Sequence, residues 1–311
     1  MNTKKLLCAS AAFAAATFLS LPSAARILDP DVPEDAVEIT KRIQCPAAGQ
    51  DTVVYEFSGN IYSRVRGQRD KLLFKAVGMN VRRCAEVTDP VRGTGYRLTS
   101  REVLLYLDPA TGEVLRTWDN PWTGERVEVI HIANDPVNSR PFYPYGADGT
   151  PFTLDTMRFQ GDWALWKSEI PLWYPNPLAG DYQDYIGGNY HSMEIFDFAM
   201  RKERLLDTGS YPTAYPSISW VRLSRWMPWM KMEDANGTIV FNAMGSKLDS
   251  GIAGLPQILQ DEIARNYPEY VTAPPSDDPR PNATTWTVTK AWIDAKREAE
   301  GAKVPAAGHS N

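Results

Sequence analysis

Runs rich in β-branched and aromatic residues recur along the chain, and turn-forming residues bound each run. This pattern is typical of β-strands, because such side chains pack well on a pleated surface, whereas Gly, Pro, Asn and Asp favour turns. The pattern fills the first half of the chain and returns after residue 190. It predicts strands at residues 52–57, 71–77, 80–87, 95–107, 113–118, 125–132, 190–200, 217–223 and 237–244.

Short links between these runs indicate how the strands pair. Residues 108–112 (DPATG) and 119–124 (DNPWTG) combine Pro, which fixes φ, with Gly, which permits positive φ. Such links join antiparallel neighbours, and a meander of these strands closes into a barrel or packs as a sandwich to hide its edges. We predict a mainly β fold, an antiparallel, lipocalin-like β-barrel with long inserted loops and C-terminal helices.

The remaining segments predict loops and helices. Residues 134–188 are dense in Pro, Gly and aromatic residues, which predicts long loops with a short helix near residues 153–160. Residues 255–266 carry apolar side chains at helical spacing, start beside Pro256 and end before Pro268, which predicts a helix. A second helix is expected from residue 284 or 285 to about residue 300.

No long linker or repeat divides the main part of the chain. We therefore expect a single domain over residues 51–300, preceded by an N-terminal extension at 26–50. The tail, residues 301–311, is expected to be disordered.

The N-terminus has the pattern of a cleavable secretory signal peptide. Lys4 and Lys5 form a basic start, residues 6–19 are almost wholly apolar, and residues 21–25 (LPSAA) place small residues before a cut after Ala25. The alternative, a membrane anchor, needs about 20 consecutive apolar residues, and this run stops short of that length. We therefore expect cleavage and a periplasmic or secreted protein with no integral membrane segment.

Charge argues against nucleic acid as a partner. Cleavage removes Lys4 and Lys5 but no acidic residue, so the formal net charge changes from −5 to −7. A mildly acidic chain without a basic stripe is a poor nucleic-acid binder.

Two cysteines, Cys45 and Cys84, remain once Cys8 is removed with the signal peptide. An even pair in an oxidising compartment fits a disulfide, which would stabilise the fold by roughly 4 kcal/mol in the chain-entropy model. Two separately buried thiols fit the sequence equally well. Pairing needs a Cα separation below about 7 Å, and the sequence does not give that distance.

Five runs have a distinctive composition: GMNVRRC (78–84), SREVLLYLDPATGEVLRTWDNPWTGERVEVIHIANDPVN (100–138), PLWYPNPL (171–178), SWVRLSRWMPWMKM (219–232) and APP (273–275). Together they resemble the bacterial and fungal family known as domain of unknown function 1838. The resemblance covers most of the chain after the signal peptide, and the combination of NPWTGE with NDPVN is fairly specific. Because the family has no assigned activity, the resemblance implies relatives and transfers no catalytic residue.

His131 is the first candidate for chemistry, since histidine exchanges protons most readily near neutral pH. Asn134, Asp135 and Asn138 gather polar groups just beyond it, at a predicted strand end where loops commonly build sites. This arrangement predicts His131 as a base and Asp135 as the residue that orients it. The alternative also stands, because Asn-Asp-Pro forms a turn and a histidine can pack in a core.

His191 and Glu194 form a second candidate pair. On a strand, Glu194 shares its face with aromatic neighbours, and burial there would raise its pKa and suit a general acid or base. If that face meets water instead, Glu194 is an ordinary surface acid. We also consider zinc held by these two residues with His131 and Asp135, although no compact ligand spacing is present.

Other mechanisms lack local signatures. The sequence has no G-x-S-x-G elbow, P-loop, C-x-x-C pair or dinucleotide-binding G-x-G-x-x-G. We accordingly expect no metal and no cofactor.

Aromatic residues are the last positive signal, and they cluster in residues 219–232. Large rings beside the basic residues Arg222 and Arg225 favour a pocket for an apolar or aromatic acid, with the guanidinium of Arg225 holding the anionic group. The alternative is that the tryptophans plug one end of a barrel. The predicted substrate-binding residues are Arg225, Trp220, Trp226, Trp229 and Asn134.

These patterns favour an exported protein with a pocket for a small, largely apolar or aromatic molecule. As an enzyme it would perform metal-free acid or base chemistry, such as an elimination, an isomerisation or a hydrolysis. The alternative is a non-catalytic periplasmic carrier that binds its ligand in the same pocket. A structural or envelope-interaction protein is a third possibility.

Overall fold

The computed structural model describes residues 25–174, 178, 182, 185, 190–233 and 235–301. Apart from Ala25 and Gly301, the predicted signal peptide and the predicted disordered tail lie outside these residues. Within the described part the chain is mainly β, as the residue pattern predicted, with helices towards the C-terminus.

A nine-stranded antiparallel sheet and a two-stranded hairpin account for the strands in the described residues. The hairpin consists of β4 (Thr117–Asp119) and β5 (Arg126–Glu128). The sheet contains β1 (Val53–Arg64), β2 (Lys71–Asp89), β3 (Gly93–Leu107), β6 (Ile132–Asn134), β7 (Met157–Gln160), β8 (Trp163–Tyr174), β9 (Tyr190–Arg201), β10 (Ser217–Ser224) and β11 (Thr238–Leu248).

The strand order is β6-β3-β2-β1-β11-β10-β9-β8-β7, so the first and last long strands of the chain meet at the centre. β1 pairs with β11 from Val54 opposite Leu248 to Arg64 opposite Thr238. The two ends of the order are β6 and β7, and no hydrogen-bonded ladder between them occurs in the described part of the chain.

Glycines allow the central strands to approach closely. A Cβ atom on Gly59 of β1 would overlap the carbonyl oxygen of Asn242 in β11, and one on Gly245 of β11 would overlap the carbonyl oxygen of Glu56 in β1. Glycine inside a strand commonly marks such a close approach or a tight bend of the sheet. The centre of the sheet therefore excludes side chains at these two positions.

Helices cover one face and both ends of the sheet. Helix α3 (Gln257–Asn266) packs Leu259 and Ile263 against the outward side chains of β1–β3. Helix α1 (Pro33–Gln44) buries Ile39 and Ile43 at one end of the inward face. Helix α4 (Thr285–Gly301) packs into a cluster of buried aromatic residues at the other end, which includes Trp226 and Trp229 and is called the aromatic cluster below. The short α2 (Lys202–Leu206) follows β9. None of the helices in the described residues has the length and apolar character needed to cross a membrane.

The prediction of a short helix near residues 153–160 was wrong. The segment enters β7 and then β8, which form an antiparallel hairpin with Gln160 opposite Trp163. The burial of side chains repeats every two residues, as in a strand: fully buried Ala164 and half-buried Trp166 alternate with exposed Trp163 and Lys167. Residues 134–188 therefore contain two strands where long loops were expected.

Other boundaries also differ from the predictions. The predicted strands 71–77 and 80–87 are one continuous strand, β2. The predicted strand 113–118 shortens to β4, and 125–132 is interrupted between β5 and β6. The predicted N-terminal extension contains α1, which begins at a proline and has acidic residues in its first turn and basic residues in its last, as the helix dipole favours.

The disulfide is confirmed. Cys45, at the end of α1, bonds to Cys84 in β2 with a Cα–Cα distance of 5.7 Å and a sequence separation of 39 residues. The bond ties the N-terminal helix to the sheet and excludes the alternative of two separate thiols.

Replacing both cysteines (Cys45→Ala with Cys84→Ala) is expected to lower the free energy of unfolding by about 2–4 kcal/mol, because the unfolded chain regains the entropy of the open loop. Urea titration with and without dithiothreitol measures the loss. Reductant should destabilise the natural chain by a similar amount and leave the double variant unchanged. Equal stability of both proteins without reductant would contradict the predicted role.

Candidate functional site

A cavity lies on the inward face of the sheet, the face that carries Tyr55 and Trp220. Side chains from β1, β2, β3, β6, β9 and β10 line it, and its volume is about 100 Å³. Aromatic walls come from Tyr55, Phe57, Phe196 and Trp220, and the polar groups are Asn80, Arg82, Glu102, Glu194 and Arg222. The cavity thus combines buried charge with an apolar enclosure, as ligand sites commonly do.

A larger groove of about 630 Å³ lies between β7 and β11. Its charged residues, Arg158, Lys167 and Asp197, are all exposed. Exposed charges interact weakly through water, so this groove has no comparable electrostatic focus. The enclosed cavity is therefore the stronger candidate site.

Two carboxylates from distant strands approach each other in the cavity. Glu102 lies on β3 and Glu194 on β9, five positions apart in the strand order. In a flat sheet they would be about 24 Å apart, at about 4.8 Å per strand. The charge of Glu102 nevertheless raises the pKa of Glu194. Both side chains also line the same cavity, so the sheet curves enough for β3 and β9 to contribute to one site.

Burial is the main influence on Glu194. Desolvation raises the pKa of this carboxyl above its usual value, Glu102 adds to the rise, and Arg222 opposes it. Arg222 lies directly opposite on β10, with its Nη1 atom 3.4 Å from Oε1 of Glu194. The carboxyl therefore holds a proton more tightly than a surface glutamate, although a cation lies beside it.

Glu102 is held by an amide from the neighbouring strand. The Asn134 Nδ2 group of β6 donates a hydrogen bond of 2.7 Å to Oε1 of Glu102. Asn134 is buried and was predicted as a substrate-binding residue. Its described contact is to a carboxylate of the cavity, which fixes the orientation of that carboxylate.

Arg82 forms the basic end of the cavity. Its Nε donates to Oδ1 of Asn80 at 2.6 Å, its Nη1 donates to Oε1 of Gln44 in α1, and its guanidinium lies 4.1 Å from the centre of the Tyr55 ring. Burial lowers the pKa of Arg82, while Tyr55 and Glu102 raise it. Neutral amides and an aromatic ring thus orient the guanidinium.

His131 lies outside the set of residues that line the cavity. It is buried, its Nδ1 accepts a 3.1 Å hydrogen bond from the backbone N–H of Tyr106, and the two rings stack at 6.0 Å. Burial, helped by Arg116, lowers its pKa to about 4. Its role as a base stays a prediction, and a pKa near 4 makes the ring a weaker proton acceptor than free imidazole.

Asp135 does not meet His131 through a hydrogen bond in the described residues. Its carboxylate lies 2.9 Å from Nε of Arg101 and 2.9 Å from Nη2 of Arg280, and the second arginine also binds Asp278. This network ties the end of β6, where the Asp135–Pro136 bond is cis, to the segment before α4. The predicted orienting contact is therefore replaced by ion pairs.

His191 points away from Glu194. It is exposed, and its ring packs edge-on against exposed Trp173 at 5.0 Å. Neighbours three apart on a strand lie on opposite faces, which explains the separation. Within the described residues, no group of three His, Cys, Asp or Glu side chains is placed to hold a metal ion. The four residues of the zinc hypothesis are thus dispersed.

The predicted aromatic set divides between two places. Trp220 lines the cavity, whereas Trp226 and Trp229 are buried in the aromatic cluster that packs against α4. Arg225 is half-buried and is not among the cavity-lining residues. Glu194 and Trp220 are accordingly the two predicted site residues that border the cavity itself.

Sequence reasoning missed Arg82, Asn80 and Glu102 as members of this site, whereas it did place Arg222, with Arg225, beside the aromatic rings of a ligand pocket. A signal was present, because charged or amide side chains occupy inward positions of otherwise apolar strands. Buried charge on a strand is uncommon and marks candidate sites. The sequence pattern does not give the strand order, and it is the strand order that brings these positions together.

The chain belongs to the family described as "Protein of unknown function (DUF1838)", whose model matches residues 50–292. This confirms the resemblance carried by the five sequence runs. No curated protein matches the chain.

The low pKa of His131 predicts acid sensitivity. Because the folded protein holds this ring neutral to about pH 4 while an unfolded histidine titrates near 6.5, stability should fall as pH drops from 6.5 towards 4. The loss amounts to about 3 kcal/mol. His131→Asn, which keeps an acceptor near the Nδ1 position, should flatten this part of the curve.

Urea unfolding at several pH values between 4.5 and 7.5 measures this effect. His191→Asn is the matched control, because that side chain is exposed, and it should keep the pH dependence of the natural chain. Parallel stability curves for the natural chain and His131→Asn would contradict the assignment.

Proposed function

We propose that this protein binds a small, largely apolar or aromatic molecule in the inward cavity and performs acid/base chemistry on it through Glu194. The observation that carries the proposal is a carboxyl with a raised pKa that faces a second carboxylate inside a ring-lined cavity. Active sites commonly raise the pKa of a carboxyl in this way, because a proton donor must be protonated near the working pH.

The proposed enclosure is barrel-like. Its support is the approach of β3 to β9, which a flat sheet would keep apart, together with the close contact of β1 and β11 at the glycines. Helix α1 and the aromatic cluster with α4 close the two ends. Such an enclosure keeps water away from the ligand and strengthens every charge interaction inside it.

Each polar residue has a role in this proposal. Glu194 transfers the proton, and Arg222 opposite it limits the rise of its pKa and stabilises the ionised form. Glu102, held by Asn134, is the second carboxylate, and its charge favours the protonated form of Glu194. Elimination, isomerisation and hydrolysis all use a proton transfer of this kind.

Export to the periplasm or medium is part of the proposal. It is supported by the signal-peptide pattern at the N-terminus and by the disulfide between Cys45 and Cys84. Structural disulfides persist mainly in oxidising compartments. The substrates would then be molecules that reach those compartments.

Glu194→Gln is expected to slow turnover by about 10²–10⁴-fold, because the amide cannot transfer the proton. The purified protein is incubated with a small-molecule extract of bacterial cells, and mass spectrometry follows which compounds are consumed and which appear. The compound consumed by the natural chain should bind the variant and be recovered from it unchanged.

Asp197→Asn is the matched control, since Asp197 lies on the same strand but is exposed. It should consume the compound at the natural rate. Equal rates for Glu194→Gln and the natural chain would exclude Glu194 as the proton-transfer group. A compound that binds the natural chain and is recovered unchanged would identify a carrier instead of an enzyme.

A further inference from the structure

We infer that Arg82, held by Asn80 and Gln44, is the anchor for a carboxylate group of the ligand. This inference rests on the proposed function, because it assigns a ligand class to the same cavity. It places the anionic group at the α1 end of the cavity, away from Arg225, which the sequence pattern suggested for that role.

The guanidinium of Arg82 is oriented without being neutralised. Asn80 binds its Nε and Gln44 binds its Nη1, and both partners are uncharged amides. None of the ion pairs in the described residues involves Arg82. The charge of Glu102 acts on Arg82 from a distance, while the described hydrogen bond of Glu102 comes from Asn134. A desolvated cation in this state is costly unless an anion joins it.

Two further basic side chains, Lys247 and Arg42, act electrostatically on this end of the protein. Lys247 is buried and donates to the carbonyl oxygen of Arg42 and to Oγ1 of Thr213, both at 2.9 Å. Its pKa is lowered to about 7 by burial first and then by Arg82 and Arg42. None of these three cations forms an ion pair with a carboxylate among the described residues.

Arg42 and Lys247 are committed to the fold, whereas Arg82 faces the cavity. Arg42 donates to the carbonyl oxygens of Leu205, Arg204, Asp207 and Tyr211, so its guanidinium holds the end of α2 and the segment after it. Arg82 lines the cavity and has described partners for Nε and Nη1 only. Its Nη2 is therefore the donor available to a ligand.

The size of the cavity favours a carboxylate over a larger anion. A volume of about 100 Å³ accepts a small planar group, and the flat guanidinium matches the plane of a carboxylate. Tyr55 flanks this end and Phe57 lines the cavity beyond it, beside Trp220, which suits an apolar or aromatic body next to the carboxylate. A ligand anchored at Arg82 would extend towards the proton-transfer pair of Glu102 and Glu194.

Benzoate and benzamide test the anchor, because they have nearly the same shape and differ in charge. Binding of each to the full chain is followed by protein-observed NMR titration at neutral pH. The natural chain should bind benzoate at least about tenfold more tightly than benzamide. Arg82→Gln should bring the two affinities within about twofold of each other, and Arg225→Gln should keep the natural preference.

Arg82→Lys provides a second measurement where Arg82→Gln does not fold, since it keeps the charge but loses the planar fork. It should retain a reduced preference for benzoate. Equal affinities of the two probes for the natural chain, or an undiminished preference in Arg82→Gln, would overturn the anchor and leave the cavity proposal standing. Failure of both probes to bind the natural chain would instead contradict the ligand cavity itself.

Discussion

The close packing of β1 against β11 is the constraint on which the rest of the structure depends. Backbone atoms of each strand occupy the space that a Cβ would need at Gly59 and Gly245. Ala76 and Ala243, which flank Gly59 on the two neighbouring strands, keep this region of the inward face small. The absence of bulky side chains at these positions lets the sheet bend there, although Phe57 and Phe241 of the same two strands keep their rings on the inward face. Strands on both sides of this pair contribute to one cavity.

Curling gives the inward face an electrostatic character that no single strand has. Charges on β2, β3, β9 and β10 share one small volume from which water is largely excluded. Each charge has a specific arrangement there, since Arg222 lies beside Glu194, Asn134 binds Glu102, and amides orient Arg82. Replacing such groups with apolar ones is often neutral or stabilising. Their presence therefore points to chemistry or binding more than to stability.

The sequence predicts most of the sheet but little of how its parts converge. Strands β1–β3 and β9–β11 follow from local residue patterns, whereas β8 was missed because Pro171 and its aromatic neighbours resemble a loop. Near the edge of a sheet a proline removes no ladder hydrogen bond, so Pro171 is compatible with a strand and did not indicate a loop. Glu194 was identified from its aromatic face. Arg82 and Glu102 were not, because their proximity to it depends on strand order and curvature, which no local pattern encodes.

The disulfide connects this long-range geometry to the N-terminal helix. Cys45 follows Gln44 directly, and Cys84 lies two residues beyond Arg82 on the same face of β2, so the covalent link is adjacent to the contact between amide and guanidinium. Tyr55 adds a second connection, since its hydroxyl donates to the carbonyl oxygen of Ile43 while its ring lies under Arg82. A movement of helix α1 would therefore disturb Gln44 and Tyr55, two of the groups that contact that guanidinium. The bond that stabilises the fold thus also restrains the basic end of the cavity.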